Sequence, residues 1–216
     1  MNCSKTSNND NFAENQYNKM VNTPVSKLIT GLAIPTVISM LVTSIYNMAD
    51  TFFVSQISTQ ASAAVGVVFP IMSIIQAFGF TLGMGSGSLI SIRLGQKRNE
   101  EANVIVSTAF FTAIGIGFLI TILGIIFSTQ FLSLVGASNT ILPYAQDYAK
   151  YIFFGAPIMT ASFVLNNVLR SEGKAFFSMI GLTTGGILNI ILDPIFIYAL
   201  DLGISGAAIA TLCSQS

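Results

Sequence analysis

LITGLAIPTVISMLVTSIYNMADTFFVS, residues 28–55, carries a single charge, Asp50, in 28 positions. A helix rises about 1.5 Å per residue, and a bilayer's hydrocarbon core is about 30 Å thick, so roughly 20 apolar residues cross it. The stretch is long enough and apolar enough to span. Working outward, the pattern repeats. Residues 61–92 and 102–131 hold no charge, 144–169 hold Asp147 and Lys150, and 175–200 hold only Asp193. Residues 204–216 begin a sixth apolar segment of 13 residues, too short to cross. The expected fold is therefore all-α: a polytopic membrane protein, a six-helix bundle whose sixth helix is incomplete. Residues 1–22 are polar and Asn-rich and are expected to form a flexible cytoplasmic tail, with the transmembrane bundle over 23–216.

Composition supports this reading. Hydrophobic residues make up 52% of the chain and charged residues 8%, and the mean hydropathy is +0.73. A soluble domain carries about 25% charge, so this chain lacks the polar groups to cover a water-facing surface. Zero formal net charge and the absence of a basic stripe argue against nucleic acid as a partner. There is no histidine, which removes the commonest metal ligand and general base. Cys3 and Cys213 follow no metal-binding pattern. No loop is long enough for a soluble catalytic domain, and the spans offer no Ser–Lys pairing, so an enzyme is not expected. Neither a metal nor a cofactor is expected.

The loops give an orientation. Lys5, Lys19 and Lys27 precede the first span, Arg93, Lys97 and Arg98 separate the second from the third, and Arg170 and Lys174 separate the fourth from the fifth. Only Lys150 breaks the pattern among the nine basic residues. The positive-inside rule then puts the N-terminus and these loops in the cytoplasm of a multi-pass cell-membrane protein.

Asp50 and Asp193 each fall near the outer end of their span, away from the basic loops. A carboxylate there is unfavourable by several kcal/mol unless it faces protein, water or a cation. Tyr46 and Asn47 precede Asp50 by four and three residues, and Asn189 precedes Asp193 by four, so each shares a face with its acid. Pro194 follows Asp193 and frees a carbonyl one turn back. An amide, freed carbonyls and a carboxylate suit either Na⁺ or a water-mediated proton relay, and the residue set does not choose between them. Pro35, Pro70 and Pro157 interrupt other spans. Glycines such as Gly79, Gly83 and Gly87 are expected to let helices approach closely. Asn166 and Asn167 read as a helix-interface feature.

The chain resembles the N-terminal half of a multidrug and toxic compound extrusion transporter of the bacterial multidrug-exporter branch. The resemblance rests on Leu32-Ala33-Ile34-Pro35 and on Tyr46-Asn47-Met48-Ala49-Asp50-Thr51-Phe52-Phe53-Val54. Two loops, Arg93-Leu94-Gly95-Gln96-Lys97 and Leu169-Arg170-Ser171-Glu172-Gly173-Lys174, add to it. So do Asn189-Ile190-Ile191-Leu192-Asp193-Pro194-Ile195-Phe196 and Gly203-Ile204-Ser205-Gly206-Ala207-Ala208-Ile209-Ala210-Thr211. It implies secondary active efflux, in which cationic or amphipathic drugs are exchanged for Na⁺ or H⁺ between two six-helix bundles. It further implies a cation or proton site of Asp50, Asp193, Asn189, Tyr46, Thr211 and Tyr148, and helix-kink positions at Pro35 and Pro194. The partners implied are small-molecule drugs, the lipid bilayer and a C-terminal six-helix bundle, without which the fragment is expected to be inactive. The alternatives are a lipid-linked oligosaccharide flippase of the wider superfamily, which would call for basic residues in the cavity-facing spans, and a non-transporting truncated remnant.

Overall fold

The computed structural model describes residues 22–215; the tail expected over 1–22 lies, but for its last residue, outside them. The described residues form helices α1 (Val25–Ser55), α2 (Thr59–Gly95), α3 (Asn99–Ile126), α4 (Ser128–Leu134), α5 (Leu142–Ser171) and α6 (Ala175–Pro194). A π-helical segment (Ile195–Ala199) and α7 (Gly203–Gln215) follow. Helices α1, α2, α3, α5 and α6 with its π extension are long and apolar enough to cross a membrane. They carry large apolar side chains outward, among them Met48 at 73% and Phe154 at 71% exposure. Water would penalise such a surface and lipid would not.

Two expected spans are subdivided. The third, expected unbroken over 102–131, ends its α-helix at Ile126, because Phe127 leaves the helical region at φ −104°, ψ 17°. The short α4 then turns Leu132 into the core. The fifth passes from α-helix into the π segment at Pro194. Proline has no N–H for the α-helical bond, and the next turn closes with longer reach, Leu200 N–H donating to the Ile195 carbonyl at 3.0 Å.

Helix α5 is the hub, packed against α2, α3, α4, α6 and α7. Its seam with α2 is set by glycines one turn apart. A built Cβ would come within 2.8 Å of Phe163 at Gly79 and of Asn167 at Gly83, and one at Gly87 would collide with Ser171 Oγ. Both rows advance by four residues, so the backbones meet along two turns. The seam with α3 forms at Pro157. This proline cannot donate to the carbonyl of Phe153, and Thr121 Oγ1 from α3 donates to it instead at 2.6 Å. Nearby, Thr160 Oγ1 donates back to the Ala113 carbonyl at 2.9 Å. Each helix thus satisfies a carbonyl on the other, as a proline inside an apolar bundle requires.

The α2–α3 and α5–α6 turns lie at one end of the bundle and close alike. Arg98 N–H donates to the Arg93 carbonyl and Lys174 N–H to the Leu169 carbonyl, both at 2.9 Å. The turning residues, Lys97 at φ 60° and Gly173 at φ 77°, are left-handed. Ion pairs Arg93–Glu101, Arg98–Glu101 and Lys174–Glu172 sit here, at the basic end of the bundle. Both acids lie toward the opposite end.

Candidate functional site

Helix α1 buries a narrow stripe, Ser39, Tyr46, Asp50 and Val54. The last three are spaced by four, so they share one face, which is turned chiefly on α6. Close approach there depends on Gly186, where a Cβ would stand 3.0 Å from both Tyr46 Cδ1 and Val42 Cγ1. Asn189 and Asp193, one turn apart on α6, are fully buried. From α5 comes Tyr148, also fully buried, and from α7 comes Thr211. Helix α7 reaches this position because Gly206 lies against the π segment, where a Cβ would be 2.5 Å from the Phe196 carbonyl oxygen.

These side chains meet. Asn189 Nδ2 donates to Asp193 Oδ1 at 3.3 Å. The Tyr148 hydroxyl lies against Asp50 and Thr211 and within electrostatic reach of Asp193. Neither Asp50 nor Asp193 takes part in the ion pairs found among the described residues. Tyr46 stands one turn from Asp50, and its hydroxyl accepts a hydrogen bond from Gln215 Nε2 at 3.4 Å. The six residues named from the sequence therefore form one cluster drawn from four helices. Asn47, expected to share the face, is only half-buried at its edge.

The cluster is short of donors. Asp50 Oδ1, Asp193 Oδ2, Asn189 Oδ1 and the Tyr148 hydroxyl are all buried without a hydrogen-bond partner. A buried acceptor left unmade is unfavourable by about 1–3 kcal/mol, and more when charged. Two carboxyls, an amide oxygen and a phenol gathered in one buried cluster, with neither acid in an ion pair among the described residues, form a donor set for a small hard cation or for protons.

A profile of the MatE family matches residues 35–195, which run from Pro35 through the acids to the π segment. The chain belongs to the MatE family. Among curated MatE-like relatives it is 33% identical over 199 residues to an FAD transporter of Shewanella oneidensis, covering 90% of this chain and 44% of that protein. To the multidrug export protein MepA of Staphylococcus haemolyticus it is 32% identical over 193 residues, covering 89% and 43%. A solved structure of a superfamily transporter from Pyrococcus furiosus superposes with a TM-score of 0.86 at 36% identity, over 91% of this chain and 44% of that one. The chain thus spans less than half the length of these relatives, and its fold is that of the N-terminal lobe of a MatE transporter.

Pro35 lies within α1, which runs unbroken from Val25 to Ser55, and its carbonyl accepts from Ser39 Oγ at 2.8 Å. Pro194, by contrast, marks the change of helix type. Lys150, the basic residue out of pattern, is exposed on α5 and faces away from the cluster. Asn166 and Asn167 do lie at interfaces: Asn166 Oδ1 accepts from Ser178 of α6 at 3.0 Å, and Asn167 packs on Gly83 of α2. Sequence reasoning missed two participants. Gln215 carries a signal, since it follows Thr211 by four and shares its face. Tyr198 carries none. Its hydroxyl donates to the Phe53 carbonyl at 2.9 Å, tying the π segment to the end of α1.

Proposed function

We propose that this chain is the ion-coupling lobe of a secondary active multidrug exporter, which moves cationic or amphipathic drugs outward against Na⁺ or H⁺. The observation that carries the reading is the pair of buried carboxyls, Asp50 and Asp193, each with an oxygen that lacks a hydrogen-bond partner, clustered with Asn189 and Tyr148, whose Oδ1 and hydroxyl are likewise unpartnered. Membership of the MatE family supports transport, and relatives named as multidrug export proteins support drugs as cargo. Charge exchange at the cluster would couple the ion gradient to helix α1, whose contacts with the bundle are chiefly those of its acid-bearing stripe with α6. In this reading Pro35 is the position at which α1 bends, the basic end is cytoplasmic, and the drug path lies between this lobe and the length of the relatives that the chain does not span.

The test is drug efflux from vesicles under an imposed Na⁺ or proton gradient, using the protein with both lobes. Asp50→Asn and Asp193→Asn should each abolish most gradient-driven efflux at normal expression. Wild-type efflux by both variants would show that neither acid carries the coupling ion.

A further inference from the structure

Helix α1 is the least enclosed of the membrane-length helices. Of its 31 residues four are buried, Ser39, Tyr46, Asp50 and Val54, and it packs chiefly on α6. Two of the four belong to the acid cluster, so the order of the cluster depends on how firmly α1 is held to α6. On the basic-end side of the acids the two helices are held by close approach, Gly186 leaving room for Tyr46 and Val42, which a Cβ would meet at 3.0 Å. On the other side they are held by a hydrogen bond, from the Tyr198 hydroxyl to the Phe53 carbonyl at 2.9 Å. Asp50 lies four residues after Tyr46 and three before Phe53, and Asp193 lies seven after Gly186 and five before Tyr198. Both acids are thus bracketed between two points of attachment.

The outer attachment depends on helix ends and on helix type. The Phe53 carbonyl is one of the last four of α1, which have no α-helical donor in their own helix. It accepts a three-residue bond from Gln56 N–H at 3.2 Å, and Tyr198 caps it from the neighbouring element. A π turn holds one residue more than an α turn. Tyr198, five residues after Asp193, therefore comes round toward the acid's own face, a place that the residue four after it would take in an α-helix. Tyr198 itself is half exposed and adds little to the core. Its hydroxyl is spent on the end of α1, at the Phe53 carbonyl and, more distantly, at Gln56 Oε1, 3.4 Å away.

We propose that Tyr198 is a positioning residue for the cation site: by capping the Phe53 carbonyl it holds the outer end of α1 to the π segment and so fixes the spacing of the Asp50 and Asp193 carboxyls that one ion must share. A site assembled from two helices binds well only if their separation is held to within about 0.5 Å. Groups that orient the ligands of an ion without touching it typically change its affinity by about 10–100-fold when removed. The inference rests on the cation reading of Asp50 and Asp193 and adds the group that sets their geometry. It also gives the π segment a purpose, since it carries Tyr198 to the side on which α1 ends.

The experiment is thermal unfolding of the full chain in detergent, titrated with Na⁺ in place of choline at constant ionic strength, and separately with acid. Tyr198→Phe keeps the ring and removes only the hydroxyl, and at a half-exposed position it should fold as the parent does. It should need about tenfold more of whichever ion the parent answers to for half of the stabilising response. Tyr144→Phe, at a tyrosine of similar exposure on α5, should respond as the parent. A structural cap alone would lower the melting temperature by the same amount at every ion concentration and leave the half-response where it was. That result, or a half-response in Tyr198→Phe equal to the parent's, would overturn the assignment of Tyr198. Failure of the underlying reading looks different: a parent that responds to neither ion, or a response that survives in the double variant Asp50→Asn, Asp193→Asn, removes the site and the role of Tyr198 with it.

Discussion

Asp193→Asn separates a cation site from a packing acid without any transport assay. The carboxyl is fully buried, with one oxygen bonded to Asn189 at 3.3 Å and the other unpartnered. Asparagine keeps the size and an acceptor for Asn189, and its amide can donate to a neighbouring orphan such as the Tyr148 hydroxyl. With no cation present, the variant should be as stable as the parent or gain up to about 1–3 kcal/mol from the relieved acceptor. Adding the coupling cation should reverse the order. A ligand that binds only the native state contributes about 2.7 kcal/mol at a hundredfold excess over Kd. For a chain of this size that is a rise in Tm of about 5–10 °C, at about 2–4 °C per kcal/mol. The assay is thermal unfolding in detergent, with Na⁺ exchanged for choline at constant ionic strength and pH varied separately. The parent should show a saturating rise with one of the two ions, and Asp193→Asn and Asp50→Asn should both be flat. A wild-type rise in both variants would refute the reasoning. So would a large fall in stability of the cation-free variants, since that would mark the acids as structural.

Other consequences follow from the packing and from the charge pattern. Thr121→Val, nearly isosteric, deprives the Phe153 carbonyl of its donor beside Pro157 and should lower stability by about 1–3 kcal/mol in a denaturant or thermal titration. Gly117→Ala should be at least as damaging, by about 1–3 kcal/mol or more, because its Cβ would collide with the Pro157 backbone and a helix axis would have to shift; an unchanged melting curve would count against this packing of α3 on α5. With Cys3 and Cys213 replaced, a membrane-impermeant thiol reagent applied to whole cells should label Ser138→Cys and spare Arg98→Cys and Lys174→Cys. The opposite labelling pattern would invert the proposed orientation.

The sequence by itself determined the class of the protein. Runs of about 20 uncharged apolar residues have few outcomes, because a helix satisfies all its backbone groups alone and lipid offers no other partner. It also marked Asp50 and Asp193, since a lone carboxylate in such a run is costly enough to stand out. Spacing by four placed Tyr46 with Asp50 and Asn189 with Asp193, because that periodicity belongs to the helix and needs no tertiary information. What crosses between helices was decided only by tertiary structure. Thr121 looks like any threonine in a membrane span until α3 lies against the carbonyl that Pro157 frees on α5. Pro194 announced a disturbance but not a π segment, whose form depends on Gly206 of α7 lying against Phe196 and on Tyr198 reaching the end of α1. The division of 102–131 at Phe127 falls where Ser128-Thr129-Gln130 interrupt the apolar run, a short polar signal that hydropathy averaged over the whole span hides. The bonds from Ser178 to Asn166 and from Gln215 to Tyr46 are the clearest case. Their partners lie 12 and 169 residues apart in the chain, and each alone is an ordinary polar residue. Only the packing of α5 on α6 and of α7 on α1 brings them together, because side-chain hydrogen bonds reach about 3 Å and depend on where neighbouring helices stand.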